Sequence, residues 1–332
     1  MRLPIISTMA AAGVLATAAL ASLTLSPVAA EATTSPVMSS TFLQPSGTTI
    51  PWTAKQYQSE ITLERAAGIT GIIDQWTIDE DANQAYYPDA SGWYPRGDDM
   101  TDPLLSAAGS AGDTVWLGLA NVSAWQSHAG DASWLSNQLY VDEQTADQLY
   151  RLYGSNKAVK GWYVPFEVSD QQLGSSADAA AMKSFFTSLT TYLHSHDGDQ
   201  PVMTSPTYEH LTESPAQYAS SAASVLGGFD VINVQDSGGS GYEQPSDITN
   251  WFTALHKALA GTRSALWDDP DLFSASNKGG PMTPSQLQAN LKAAAGLVSA
   301  YSGFSFTTQM DPNLIGTSSY YSAYQTYERK QS

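Results

Sequence analysis

From about residue 40 onward, short apolar runs alternate with longer amphipathic stretches. The runs are rich in β-branched and aromatic residues and stop at turn residues, which marks buried strands. The stretches between them carry apolar residues at helical spacing and end at glycines such as Gly68 and Gly227. This pattern predicts strands at Thr41–Gln44, Ile69–Trp76, Thr114–Ala120, Val159–Val168, Pro201–Ser205, Phe229–Gln235, Ser264–Trp267 and Gly303–Thr308. Helices are expected at Trp52–Ala67, Asp102–Ala111, Trp134–Gly154, Ala177–His194, Ala216–Leu226, Ile248–Ala260 and Pro284–Ala300, with a last one at Tyr320–Glu328. Eight strand–helix alternations predict an α/β fold, a (β/α)8 TIM barrel forming one domain over residues 33–332. A doubly wound open sheet is the competing architecture.

The segment before the first strand has a different character. Arg2 is followed by an Ala-, Leu- and Val-rich run that closes on small residues at Val28-Ala29-Ala30 or Ala30-Glu31-Ala32. That is the layout of a secretory signal peptide over residues 1–32, removed on export, which predicts a secreted protein. No later run is long and apolar enough to predict stable membrane insertion. The chain has no cysteine, which excludes thiol catalysis and cysteine-ligated metals. Its formal charge is −18, from 14 Lys and Arg against 32 Asp and Glu. Such a surface repels nucleic acid and anionic membranes.

The predicted strand exits collect one kind of chemistry. Gln44 follows strand one, Gln75 and Trp76 strand two, Asn121 strand three, and Tyr208 lies beyond strand five. Gln235 and Asp236 end strand six, and Trp267, Asp268, Asp269 and Asp271 follow strand seven. In a parallel barrel these exits share one mouth. Amides and carboxylates that bind hydroxyls, beside aromatic rings that pack on a sugar face, suit a carbohydrate. Glu167 closes the apolar run Gly161-Trp162-Tyr163-Val164-Pro165-Phe166 and is the candidate acid/base, its proton held by apolar neighbours including Trp162. Glycoside hydrolysis needs a second carboxyl group, and Asp271, Asp269 and Asp236 compete for it. Asp236 also reads as a turn-stabilising Asp, because Ser-Gly-Gly-Ser-Gly follows. Gly238–Gly241 reads as a mobile loop, lacking the helix a phosphate cradle requires. Neither the acids after strand seven nor the scattered histidines have a metal-site spacing, so no metal and no cofactor are expected.

Five motifs occur in register: Thr41-Phe42-Leu43-Gln44, Ile72-Ile73-Asp74-Gln75-Trp76, Gly161 through Glu167, Val234-Gln235-Asp236, and Leu266-Trp267 through Phe273. In these the chain resembles the secreted, glycoside-hydrolase-like TIM-barrel family catalogued as domain of unknown function 4434. The resemblance implies a (β/α)8 barrel, a role on polysaccharide, and site positions at Gln44, Gln75, Trp76, Glu167, Gln235, Asp236 and the strand-seven acid. The family pattern carries Glu two positions before Phe, where this chain has Asp271. Asp is one methylene shorter and sets the carboxylate back by about 1.5 Å.

The sequence thus predicts a secreted glycoside hydrolase of an extracellular or cell-wall polysaccharide. Glu167 is the proton donor and Asp271 or Asp236 the nucleophile or base. Gln44, Gln75, Asn121, Tyr208, Gln235 and Asp269 are expected to bind substrate, and Trp76, Trp162 and Trp267 to stack on it or wall the cleft. The alternative is a carbohydrate-binding barrel without catalysis.

Overall fold

The computed structural model describes residues 35–331 except 89–93, 96, 197 and 212. The expected signal peptide, residues 1–32, lies outside the described residues. Eight parallel strands close into a barrel: β1 (Ser40–Leu43), β2 (Gly71–Asp74), β3 (Thr114–Gly118), β4 (Val159–Val164), β5 (Val202–Thr204), β6 (Val231–Gln235), β7 (Ala265–Asp269) and β8 (Ala300–Gly303). Each pairs with its neighbours in sequence, and β1 closes the ring on β8 through Ser40–Ser302 and Thr41–Gly303. The helices α1 (Ala54–Arg65), α2 (Thr101–Ala111), α3 (Ala132–Tyr153), α4 (Ser176–His196), α5 (Pro215–Leu226), α6 (Pro245–Leu259), α7 (Pro284–Ala293) and α8 (Ser319–Gln331) complete the alternation. Among the described residues no helix is long and apolar enough to cross a membrane.

The helix starts are written locally. Ser214 and Thr283 accept from the backbone N–H three residues on, and a proline follows each at the first helical position. Residues of alternating parity along the strands then build two cores. Leu43, Ile72, Leu117, Trp162, Val164, Ile232 and Leu266 face outward onto the helices. Phe42, Ile73, Trp116, Tyr163, Met203, Val231 and Ala265 fill the barrel, with Trp267 and Phe304 against them. Phe42 meets Tyr163 edge-on at 5.3 Å, and Trp116 meets Trp267 at 6.1 Å.

The eighth strand is displaced from its expected position. The sequence pattern predicts Gly303–Thr308, but the strand is Ala300–Gly303, and Phe306–Gln309 is a short helix. The preceding helix ends at Ala293 instead of Ala300, because the chain reverses at Gly296, whose φ of 76° is left-handed. Phe306 N–H then caps onto Thr41 Oγ1 at 2.9 Å, turning the chain across the barrel end. Gln309 and Asp311 therefore sit on helical turns beyond the strand exit.

The barrel buries many carboxyl groups with few cations beside them. Arg65 pairs with Asp113 and Arg263 with Asp230. Elsewhere desolvation governs. Burial pushes Glu60 up to about 10, and Glu64 and Asp236 each up to about 8. A carboxyl group whose folded pKa lies above its unfolded value of about 4 stabilises the fold fully below that lower value. Its contribution is lost as pH rises through the folded value. Lowering the pH from about 8 to about 5 is therefore expected to strengthen this fold. Thermal unfolding followed by circular dichroism is expected to give a Tm at pH 5 roughly 5 °C or more above that at pH 8; a lower Tm at pH 5 would contradict the buried-acid account.

Candidate active site

The strand exits place Glu167 at the centre of the barrel mouth. Inward parity on β4 runs through Gly161 and Tyr163 and continues past Pro165 to Glu167. Phe166 points the other way, stacked between Trp125 and Phe185 at 5.4 Å from each. Glu167 is half-buried. Gln75 Nε2 on the β2 exit donates to its Oε1 at 3.4 Å, and the Gln235 side chain on β6 bonds the same carboxyl group. Desolvation pushes Glu167 up to about 7, repulsion from Asp271 adds to it, and the two amides oppose the rise.

Asp271 reaches the mouth because β7 runs on past its last ladder residue. It forms an isolated parallel bridge with Phe304, beyond β8, and Leu272 N–H bonds Phe304 O at 2.9 Å. Inward parity on β7 passes through Trp267 and Asp269 to Asp271. Its Oδ2 accepts from Ser240 N–H at 2.9 Å and Ser240 Oγ at 3.1 Å. Burial raises Asp271 to about 6, and the Ser240 and Gly239 donors hold it from going higher. Both carboxyl groups are thus held above the ordinary carboxylate range, and the Asp271 charge helps to raise Glu167.

Behind them the buried acids take other roles. Asp269 accepts from Ser205 Oγ at 3.1 Å and Ser302 Oγ at 3.2 Å inside the barrel. Asp236 is fully buried; its Oδ1 accepts from Gly238 N–H at 2.9 Å and from Asp271 N–H at 3.3 Å. The stretch Gly238–Ser240, read from sequence as a mobile loop, is instead tied down by these bonds. Gly239 packs directly on the Asp271 side chain, leaving no room for a Cβ.

The structure brings Glu167, Gln75, Gln235 and Asp271 together and puts other expected residues elsewhere. Trp162 faces outward from the barrel and is 1% exposed, because it is one residue out of phase with Glu167. Tyr208 is fully buried, stacked on Trp251 at 4.4 Å. Trp267 lies against the apolar filling, and half-buried Trp76 packs on the outer core. Asn121 belongs to a small sheet with Ile78–Asp79, its carbonyl taken by Glu80 N–H at 2.9 Å. Gln44 lines a cavity of about 270 Å³ with Ser46, Thr49, Thr308 and Leu314 at the exits of β1 and β8. Sequence reasoning missed Ser240, Ser205 and Ser302. Hydroxyls in a Ser-rich chain carry no signal of their own until the acids they serve are placed. Among the described residues no group of three or more His, Asp or Glu side chains is arranged to hold a metal ion.

A closed barrel of eight parallel strands, each followed by a helix, is a TIM barrel, and its carboxyl groups and amides gather at the C-terminal mouth. The chain belongs to the family described as Domain of unknown function (DUF4434), whose model matches residues 38–316. A Bacteroides thetaiotaomicron protein provisionally assigned as an alpha-L-fucosidase superposes with a TM-score of 0.74 at 18% identity, over 90% of this chain and 97% of that one. Alpha-L-fucosidase isoenzyme 2 from Paenibacillus thiaminolyticus gives 0.56 at 12% identity, over 89% of this chain and 49% of that one. The exo-beta-1,4-mannosidase Op5Man5 from Opitutaceae bacterium strain TAV5 gives 0.55 at 14%, over 91% and 60%. At these identities the likeness is one of fold. No curated protein matches the sequence.

Gly118, at the β3 exit, lets the β2 exit that carries Gln75 pass close by. A Cβ there would overlap the backbone oxygens of Asp74 and Gln75. Gly118→Ala is expected to cost about 1–3 kcal/mol, read as a lower urea midpoint at unchanged slope. A wild-type midpoint would show that the approach is not a constraint.

Proposed function

We propose that the protein is a secreted glycoside hydrolase acting on an extracellular or cell-wall polysaccharide. The carrying observation is Glu167, a carboxyl group raised to about 7 at a barrel mouth and facing a second, more acidic carboxyl group, Asp271, at about 6. Two carboxyl groups whose environments separate their pKa values divide into acid and base. Glu167 donates its proton to the leaving glycosidic oxygen. Asp271, ionised first, acts as nucleophile or as base toward water. Gln75 and Gln235 orient Glu167 and present amides to sugar hydroxyls. Secretion rests on the signal-peptide character of residues 1–32. A carbohydrate-binding barrel without catalysis is the second reading, favoured by one observation: Asp271 is only 4% exposed, with one oxygen held twice by Ser240.

Reducing-sugar release from a panel of neutral and acidic polysaccharides separates the two. Wild-type protein is expected to cleave at least one polymer, and Glu167→Gln to lower kcat by about 10²–10⁴-fold. Binding without cleavage by wild type, or full activity of Glu167→Gln, would overturn the mechanism. The rate is expected to rise as Asp271 ionises near pH 6 and fall as Glu167 loses its proton near pH 7. The result is a narrow bell-shaped profile. A plateau extending above pH 8 would contradict the assignment of Glu167 as acid.

A further inference from the structure

Asp236 stands one residue out of phase with the mouth. Gln235 faces inward on β6, whereas Asp236 is fully buried behind the wall. Its Oδ1 nevertheless touches both segments that shape the Asp271 carboxylate. It accepts from Asp271's own N–H at 3.3 Å and from Gly238 N–H at 2.9 Å. Two residues beyond Gly238, Ser240 grips Asp271 Oδ2 through N–H and Oγ. The Asn290 side chain on α7 bonds the Asp236 carboxyl group from behind. One acceptor therefore joins the β7 exit, the β6 loop and α7 into a single frame around Asp271. Asp236 Oδ2 has no hydrogen-bond partner among the described residues, and neither do the two oxygens of its buried neighbour Asp268.

We infer that Asp236 is a positioning residue, which acts only as a hydrogen-bond acceptor that fixes Asp271 opposite Glu167 and takes no proton or bond in the reaction. The inference rests on the proposed roles of Glu167 and Asp271 and adds a division of labour between the two acids that compete for the second carboxyl role. The groups facing Asp236 fit a neutral acceptor. They are the carboxyl groups of Asp268, Asp269 and Asp271, the hydroxyls of Tyr208 and Tyr320, and the amide of Asn290. Among the described residues no cation is one of them, and burial and the Asp271 charge both favour the protonated form of Asp236. A neutral Asp236 leaves Asp271 to carry the negative charge at the mouth. It also makes asparagine a close mimic, since the amide keeps the Oδ1 acceptor and puts its NH2 where the unpartnered Oδ2 sits.

The test compares Asp236→Asn, Asp236→Ala and Asp271→Asn in the full chain, by kcat and KM on a polymer that wild type cleaves. In parallel, the Glu167 carboxyl group is titrated by 13C NMR. Asp236→Asn is expected to keep kcat within about threefold and leave the Glu167 titration unchanged. Asp236→Ala is expected to lower kcat about 100-fold with little change in KM, as misplacement of a reacting group does. In that variant Glu167 titrates lower, because the Asp271 charge drifts away. Where Asp236→Ala does not fold, Asp236→Ser, too short to reach Asp271 N–H, takes its place with the same expected outcome. An Asp236→Asn protein as inactive as Asp271→Asn would overturn the inference, since the carboxylate itself would then be required. So would a folded Asp236→Ala or Asp236→Ser with wild-type kcat and titration. If no polymer is cleaved, the proposed hydrolysis fails, while the titration still decides whether Asp236 fixes Asp271.

Discussion

Burial of carboxyl groups without cations to pair them is the constraint on which this structure turns. A charge withdrawn from water must be paired, hydrogen-bonded or neutralised by a proton. With 14 basic residues against 32 acidic ones, the chain leaves most of its buried acids without a cation beside them. It uses protons and neutral donors instead. Gln75 and Gln235 serve Glu167, Ser240 serves Asp271, and Ser205 and Ser302 serve Asp269. Neutral donors lower a carboxyl pKa less than a cation does, so these groups stay above their usual range. The same shortage that ties the fold's stability to acid conditions leaves a proton on Glu167 near neutral pH.

The barrel turns that constraint into a site through phase. Each strand alternates between the filling and the helix layer, so a residue's parity decides whether its chemistry reaches the mouth. Glu167 and Asp271 are in phase with the filling residues Tyr163 and Ala265 on their strands, and both arrive inside. Asp236 and Asp268 are out of phase and are buried behind the wall. Asp236 and the three acids of the β7 exit thereby divide: Asp271 reaches the mouth as Glu167's counterpart, Asp269 points into the barrel, and Asp236 and Asp268 lie behind the wall.

Much of this was legible in the sequence. Seven of the eight strands and seven of the eight helices lie close to their expected positions, because β-branched runs bounded by glycine and polar turns have few other uses. Glu167 was visible as a lone carboxylate on an apolar run. Its phase also implied that Trp162 faces outward, a consequence that counting aromatic residues overlooked. Tyr208 was out of reach of local pattern, since its burial depends on Trp251 arriving from α6. The β8 register was missed because Ala300-Tyr301-Ser302-Gly303 carries no β-branched residue, while the Phe-rich segment after it mimics a strand. The Asp271 clamp was missed because a Gly-Gly-Ser loop reads as slack until the side chain it packs on is known.

The central claim is that Glu167 and Asp271 face each other, near enough for the Asp271 charge to raise Glu167. The most direct measurement is the 13C NMR titration of the Glu167 carboxyl group in wild type and in Asp271→Asn. The account predicts a midpoint near 7 in wild type and a lower one when the Asp271 charge is removed. A Glu167 that titrates identically in both proteins, or near the ordinary glutamate value of about 4.3 in wild type, would contradict it.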